Sequence, residues 1–190
     1  EVNEQGRRHI GSKVTVIGGG YTAMDCARTA VRLGADTTVY YRRGPQDMVV
    51  LPGEVQELLN ENGTMKYFQA PHQFFGEVSV QQAEFLKTVI NVEDGRPVVQ
   101  TEEGSSIDID TDSVILATGQ IAETHWVSGQ IGKLIMHGQS RVLVEDEFNT
   151  RHPKVFVAGD FATGATTLID AIAHGRKAAL RVTRFLTRSS

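Results

Sequence analysis

Val14-Thr15-Val16-Ile17-Gly18-Gly19-Gly20-Tyr21-Thr22-Ala23-Met24-Asp25-Cys26 is the stretch whose reading decides the fold. Val14, Val16 and Ile17 are apolar and β-branched, which suits a buried parallel strand. Gly18, Gly20 and Ala23 follow in the spacing G-x-G-x-x-A. The first glycine permits a tight turn. The second lets backbone approach a pyrophosphate, and the small third residue lets helix pack closely on strand. Behind the turn, Ala23, Ala27, Ala30 and Gly34 make one narrow face of small residues at helical spacing, fit to lie flat on a sheet. Arg28 and Arg32 point off that face, toward solvent. A helix starting here offers free N–H groups and the positive end of its dipole to phosphates. The glycine spacing alone also fits a strand-to-helix turn that holds no ligand. The strand before it and the helix after it favour a nucleotide.

Gly34 stops the helix, and Asp36-Thr-Thr-Val-Tyr-Tyr41 reads as a second strand, completing a βαβ unit. The end of that strand selects the cofactor. A carboxylate there would bond a ribose 2′-OH and favour NAD. This chain has Arg42-Arg43 instead, two forks of donors that match a 2′-phosphate. The reading is NADP(H). The alternative is a solvated arginine pair at a strand end.

Outward from this unit, Gly53–Asn60 reads as a short helix with Val55, Leu58 and Leu59 inward. Residues 66–70 read as a strand, followed by short alternating runs at 73–75, 84–91, 97–101 and 107–110. Asp94-Gly95 is a hairpin turn, so the region reads as a β-meander at the sheet edge. Residues 112–119 and Val155–Asp160 read as buried strands, and Val142–Val144 as a short one. The span 120–140 has no clear pattern. The longest helix covers 167–188, with an apolar stripe of Leu168, Ile172, Gly175, Ala179, Val182 and Leu186. Lys177, Arg181, Arg184 and Arg188 form its solvated face.

Composition narrows the classes. The 190 residues are 40% hydrophobic and 22% charged, ordinary for a globular protein of one domain or two small ones. A net charge of −4 gives no basic surface for nucleic acid. No window approaches the roughly 20 apolar residues of a membrane span. No basic-then-apolar leader opens the chain, so the cytoplasm is the expected compartment. Cys26 is the single cysteine; it excludes an internal disulfide and reads as a structural thiol. The six histidines, His9, His72, His125, His137, His152 and His174, show no metal spacing.

Taken together, the patterns Val-Ile-Gly-Gly-Gly-x-Thr-Ala-Met-Asp-Cys-Ala-Arg-Thr-Ala (16–30), Tyr-Arg-Arg (41–43), Ala-Thr-Gly (117–119), Ala-Gly-Asp (158–160) and Thr-Gly-Ala-x-Thr-x-x-x-Ala-Ile-Ala-x-Gly-Arg-x-Ala-Ala (163–179) resemble the glutamate synthase small-subunit flavoproteins of the pyridine nucleotide–disulfide oxidoreductase superfamily. The resemblance implies an α/β fold: a Rossmann-like parallel sheet with a β-meander over 11–108 for NADP(H), then, over 112–190, the returning half of a split, Rossmann-like FAD domain. It implies hydride transfer from NADPH to FAD, with electrons passed onward to another subunit or domain, and no general acid or base. The implied nucleotide contacts are Gly18, Gly19, Gly20, Tyr21, Thr22, Ala23, Arg42 and Arg43, with Gly119, Gly159, Asp160, Thr167 and Leu168 completing the cofactor set. Asp160 would meet the FAD ribityl chain, and the backbone at Thr167 and Leu168 the flavin pyrimidine edge. Tyr21 departs from the family's Asp or Asn. The family's FAD glycine motif and its amino-terminal iron–sulfur cysteines are absent from this sequence. The chain, which begins at Glu1, is therefore expected to be a fragment that binds NADP(H) and little or no FAD, its partner being the front half of the FAD domain. The competing reading is a nucleotide-fold scaffold without turnover.

Overall fold

The computed structural model of the chain describes residues 10–121 and 148–188, and between them residues 123, 124, 126, 127, 129, 132, 136, 137, 141 and 142. Two compact units divide at Gly119 and Gln120.

The first unit is built on a parallel sheet. Its strands are β1 (Lys13–Ile17), β2 (Asp36–Tyr41), β3 (Thr64–Tyr67) and, from the end of the unit, β8 (Ser113–Leu116), in the order β3-β2-β1-β8. Val16 lies beside Val39 on one side and Ile115 on the other. Successive side chains of a strand face opposite ways, and both faces are covered here. On one face, Val14, Val16 and Val39 pack against α1 (Tyr21–Arg32) and α2 (Pro52–Asn60). Ala23, Ala27 and Ala30 of α1 are buried there, as their spacing predicts, with Met24 beside them and Leu58 from α2. Cys26 packs at the margin of this core.

The second face meets an antiparallel sheet. This comprises β4 (Gln69–Phe75), β5 (Gln82–Glu93), β6 (Arg96–Thr101) and β7 (Ile107–Asp110), with β4 on one side of β5 and both β6 and β7 on the other. Ile17 and Tyr40 of the parallel sheet bury against Ala83 and Phe85 of β5. The Tyr40 and Phe85 rings stack with centroids 4.0 Å apart. Asp94 (φ 50°) and Gly95 (φ 73°) both take the left-handed conformation that the expected hairpin turn demands. The meander is thus a covering layer rather than an extension of the sheet edge. The expected strand at 66–70 is two strands in two sheets, separated at Phe68, which has φ 56°.

Two further expectations are corrected in this unit. Ser113–Leu116 belongs to the first unit, not to the 112–190 span, because it hydrogen-bonds along β1. Asp112 anchors that pairing: its Oδ2 accepts from the Ser12 and Lys13 backbone N–H groups at 2.7 and 2.8 Å. Arg28 is not a solvent-facing arginine. Its side chain is 18% exposed and reaches Glu54, Glu57 and Glu61 of the α2 region. Arg32, more exposed, pairs with Glu61 at 2.6 Å.

Hydrogen bonds from Arg28 and then Arg32 hold the Glu61 carboxyl down to about 2 from its usual 4.5. A depressed folded-state pKa stabilises above the unfolded value and loses that effect as pH falls through the folded one. Glu61→Gln is therefore expected to lower the urea midpoint at pH 7. The gap to the parent protein should narrow from about pH 4.5 and close near pH 2. A gap that stays constant over that range would show that the ion pairs do not couple α1 to α2.

The second unit, residues 120–190, holds a short antiparallel pair, β9 (Met136–His137) and β10 (Arg141–Val142), a helical turn α3 (Asp160–Thr163) and the long α4 (Leu168–Arg188). Val142 and Val157 are the buried residues of its hydrophobic cluster among the described residues, backed by Val127, Val155, Phe161 and Ala162. Val155–Asp160 is not the strand expected: its described pairing is a single bridge, Asn149 to Phe156. Its backbone bonds go to the nearby turn instead of a described ladder: Val155 N donates to His152 O at 3.0 Å and Val157 N to Phe148 O at 3.0 Å. Of the expected strand at 142–144, residues 143 and 144 lie outside the described residues, as do most of 120–140, all of 1–9, and His125.

α4 also turns differently from its predicted stripe. Leu168, Ile172 and Leu186 are exposed, while Ala171, His174, Ala178, Arg181, Val182 and Phe185 are half-buried. Aromatic contacts select this face: Phe185 meets Phe156 edge-on and His174 meets Phe148. No helix among the described residues is long and apolar enough to cross a membrane.

Candidate nucleotide site

Three parallel strands deliver their C-terminal ends to one edge of the first unit. β1 runs into Gly18–Gly20, β2 into Arg42-Arg43, and β8 into Ala117–Gly119. With β2 and β8 on opposite sides of β1, the strand order reverses here, the place where open α/β sheets form a ligand crevice.

The three glycines have different tasks. Gly18 donates to Tyr40 O at 3.0 Å and has φ 148°. A Cβ on it would stand 2.2 Å from the Ala117 carbonyl oxygen. A Cβ on Gly19 would enter the Tyr41 ring. At Gly20 the nearest atom to such a Cβ is Val49 Cγ2, 3.8 Å away, so the space in front of it is open. Gly20 is the N-cap of α1 and supplies no side-chain cap; the first turn carries no acidic residue. The helix start is left for an external anion, with the backbone at Tyr21 and Thr22 pointing N–H groups toward it. Tyr21 is 46% exposed beside this opening.

Arg42 is exposed and Arg43 half-buried. Among the described residues neither guanidinium forms an ion pair. The loop that follows is firmly tied. Tyr41 Oη donates to Asp47 O at 2.8 Å, and Asp47 Oδ2 accepts from the Gly44 backbone N–H at 3.0 Å. Burial pushes the Tyr41 phenol up, so it stays a neutral donor at physiological pH. Tyr41, quoted above within the Tyr-Arg-Arg pattern, and Asp47 tie this loop down, a support that motif reasoning did not anticipate. Their signal is turn chemistry, an Asp three residues past a glycine.

The features present fit a pyrophosphate and a 2′-phosphate: an uncapped helix start, a glycine with open space, and, at the next strand end, two guanidiniums with no ion pair among the described residues. Gly119 lies past β8 with φ 104° and open space around it.

The remaining expected positions lie in the second unit and form their own arrangement. Gly159 (φ 67°) caps α3, which Asp160 opens. Asp160 Oδ1 accepts from Thr166 N at 3.3 Å and from Thr166 Oγ1 at 3.4 Å. The α4 start is internally capped: Thr167 Oγ1 donates to Asp170 Oδ2 at 2.7 Å, and Thr167 N donates to the same oxygen at 3.3 Å. These bonds hold the Asp170 carboxyl below its usual range. Asp170 thus takes the Thr167 N–H at this helix start. Leu168 projects outward, 78% exposed. A cleft of about 460 Å³ in this unit, lined by residues such as Arg151, Phe156 and Phe185, contains none of the expected positions. No group of three or more metal-ligating side chains occurs among the described residues.

A family model described as "Pyridine nucleotide-disulphide oxidoreductase" matches residues 1–175. The chain belongs to this family. Among the relatives of this chain, "Glutamate synthase [NADPH] small chain" of Escherichia coli (strain K12) is 34% identical over 179 residues, covering 89% of this chain and 38% of that protein. "NADP(+)-dependent formate dehydrogenase subunit beta" of Moorella thermoacetica is 30% identical, covering 95% of this chain and 26% of that protein. The chain thus spans 38% and 26% of these two relatives' lengths, well under two thirds of either. The thioredoxin reductase of Lactococcus lactis shares the fold with a TM-score of 0.76 at 19% identity, over 93% of this chain and 53% of that one. FprA of Mycobacterium tuberculosis, solved in complex with NADPH, gives 0.71 at 15% identity, over 95% and 54%. These neighbours agree with the α/β architecture of two sheets.

Proposed function

We propose that the first unit binds NADP(H), its pyrophosphate on the Gly18–Gly20 turn and the α1 start, its 2′-phosphate on Arg42 and Arg43. The observation that carries this reading is the arginine pair at the strand end, without an ion-pair partner among the described residues, next to an uncapped glycine turn. Bound NADPH supplies a hydride. The residues of this chain bind and orient the nucleotide and contribute no acid or base. Following the glutamate synthase small chain and its kin, we further propose that the chain serves a flavoprotein oxidoreductase in which FAD takes the hydride and passes electrons to another subunit or domain. Asp160, Gly159, Gly119, Thr167 and Leu168 remain candidate contacts toward FAD; of these, Asp160 keeps lone pairs for a ribityl hydroxyl beyond its two long bonds to Thr166.

Calorimetric titration of the chain with NADPH and with NADH tests the first statement. NADPH is expected to bind at least about tenfold more tightly, the worth of one bidentate arginine contact. An absorbance scan of the same sample should show no bound flavin. Equal affinities would return Arg42 and Arg43 to a solvated pair. Binding of neither nucleotide would leave a scaffold without turnover, with the Tyr21 ring the first obstacle to examine.

A further inference from the structure

The parallel ladder of β2 ends at Tyr41, which pairs with Tyr67. Arg42 and Arg43 lie beyond it, and their carbonyls are taken up from the other sheet. Thr88 Oγ1 donates to Arg42 O at 2.8 Å. Thr88 N donates to Phe68 O at 2.9 Å, and Phe68 N donates to Arg43 O at 3.2 Å. The chain of bonds runs from Arg42 through Thr88 and Phe68 back to Arg43. Thr88 is 4% exposed and sits midway along β5, where pairing with β6 begins at Thr101. Phe68 holds a left-handed conformation, φ 56°, that a bulky residue adopts only when its surroundings enforce it. Here the bonds to Arg43 and Thr88 engage both its N–H and its carbonyl.

We propose that Thr88 is a positioning residue for nucleotide choice: by fixing the backbone under Arg42 and Arg43, the antiparallel sheet aims the guanidiniums at the 2′-phosphate. This rests on the reading of those arginines as the phosphate contact. An arginine fork bonds phosphate in a narrow geometry, and it hangs on a long, flexible side chain. Freedom in the peptide between residues 42 and 43 is magnified at the guanidinium. A pre-set peptide removes part of the ordering cost of binding. The hydroxyl is the discriminating atom, since a valine of the same shape fills the same space without donating.

The test is a titration of the 190-residue chain and four variants, Thr88→Val, Thr88→Ser, Arg42→Ala and Arg43→Ala, with NADPH and NADH, alongside thermal melting. Thr88→Val is expected to weaken NADPH by about fivefold, the effect of one internal hydrogen bond, while leaving NADH unchanged. Thr88→Ser, which keeps the hydroxyl, should restore the preference. If Thr88→Val fails to fold, Thr88→Ala deletes the same hydroxyl with less steric demand and is read in the same way. An unchanged NADPH-to-NADH ratio in Thr88→Val, while Arg42→Ala or Arg43→Ala lowers it, overturns the positioning role alone. Parallel loss of both nucleotides also overturns it, as mere destabilisation would do that. No change of ratio in either arginine variant overturns the phosphate reading itself.

Discussion

Arg42→Ala combined with Arg43→Ala is expected to cut NADPH affinity about a hundredfold and to leave NADH affinity within about twofold. The size of the drop decides between two accounts of the pair. Exposed ion pairs contribute about 0–1 kcal/mol, because water screens them and long side chains lose freedom. Charge-assisted, forked hydrogen bonds to a phosphate are worth about 1.5–3 kcal/mol each. Two such contacts to one phosphate share a ligand, so their sum is less than fully additive and the double variant should lose about 3 kcal/mol. Each single variant should lose tenfold or more. Arg42 is the more exposed, so its contribution should fall more steeply between low salt and about 0.5 M salt. Calorimetry at two ionic strengths reads all of this. A combined loss below about fivefold would assign the pair to solvent.

How much of this was written in the sequence depends on the range of the forces involved. β1, the glycine turn, α1 and β2 were legible because each is specified locally, by β-branched runs, a glycine spacing and an alanine face. Asp94-Gly95 was legible for the same reason, since two adjacent left-handed residues select that dipeptide. Phe68 was not. Nothing in Lys66-Tyr-Phe-Gln-Ala70 marks a phenylalanine as the corner between two sheets; the bonds to Arg43 and Thr88 that hold it come from distant chain. Residues 113–116 were legible as a strand but not in their allegiance, which is fixed by pairing with β1 and by Asp112 reaching Ser12 across 100 positions. Arg28 read as solvated because α1 alone cannot show the carboxylates of Glu54, Glu57 and Glu61 closing over it. In α4 the periodicity was right and the face wrong: hydrophobicity named Leu168 and Ile172, but the aromatic partners Phe148 and Phe156 drew His174 and Phe185 inward. At the site, residue types were readable, and their support by Tyr41, Asp47 and Thr88 was not.

Gly18→Ala and Gly20→Ala, two residues apart, should fail in opposite ways. At Gly18 the added methyl would stand 2.2 Å from the Ala117 carbonyl oxygen, and φ is 148°. The obstacle is backbone just past β8, where Ala117 N donates to Ile17 O at 2.8 Å, and it cannot swing aside as a side chain would. Strain at a glycine-only conformation costs about 1–3 kcal/mol, and overpacking about as much again. Gly18→Ala should therefore lose about 2–5 kcal/mol by urea unfolding, a large part of the 5–15 kcal/mol that holds a typical domain together. At Gly20 the same methyl meets only Val49 at 3.8 Å, and φ is −103°, which any residue adopts. Alanine is a poorer N-cap than glycine, so stability should fall by no more than about 1 kcal/mol. The methyl does stand in the open space before the α1 start, where a pyrophosphate must come close to backbone N–H groups. NADPH and NADH should weaken together, since both carry the pyrophosphate, and by tenfold or more, as each displaced N–H contact to a charged oxygen is worth about 1.5–3 kcal/mol. A folded Gly20→Ala chain that bound both nucleotides like the parent would move the phosphates away from this turn. If Gly18→Ala were as stable as the parent, then β1 and β8 are not packed at the turn as closely as their register requires.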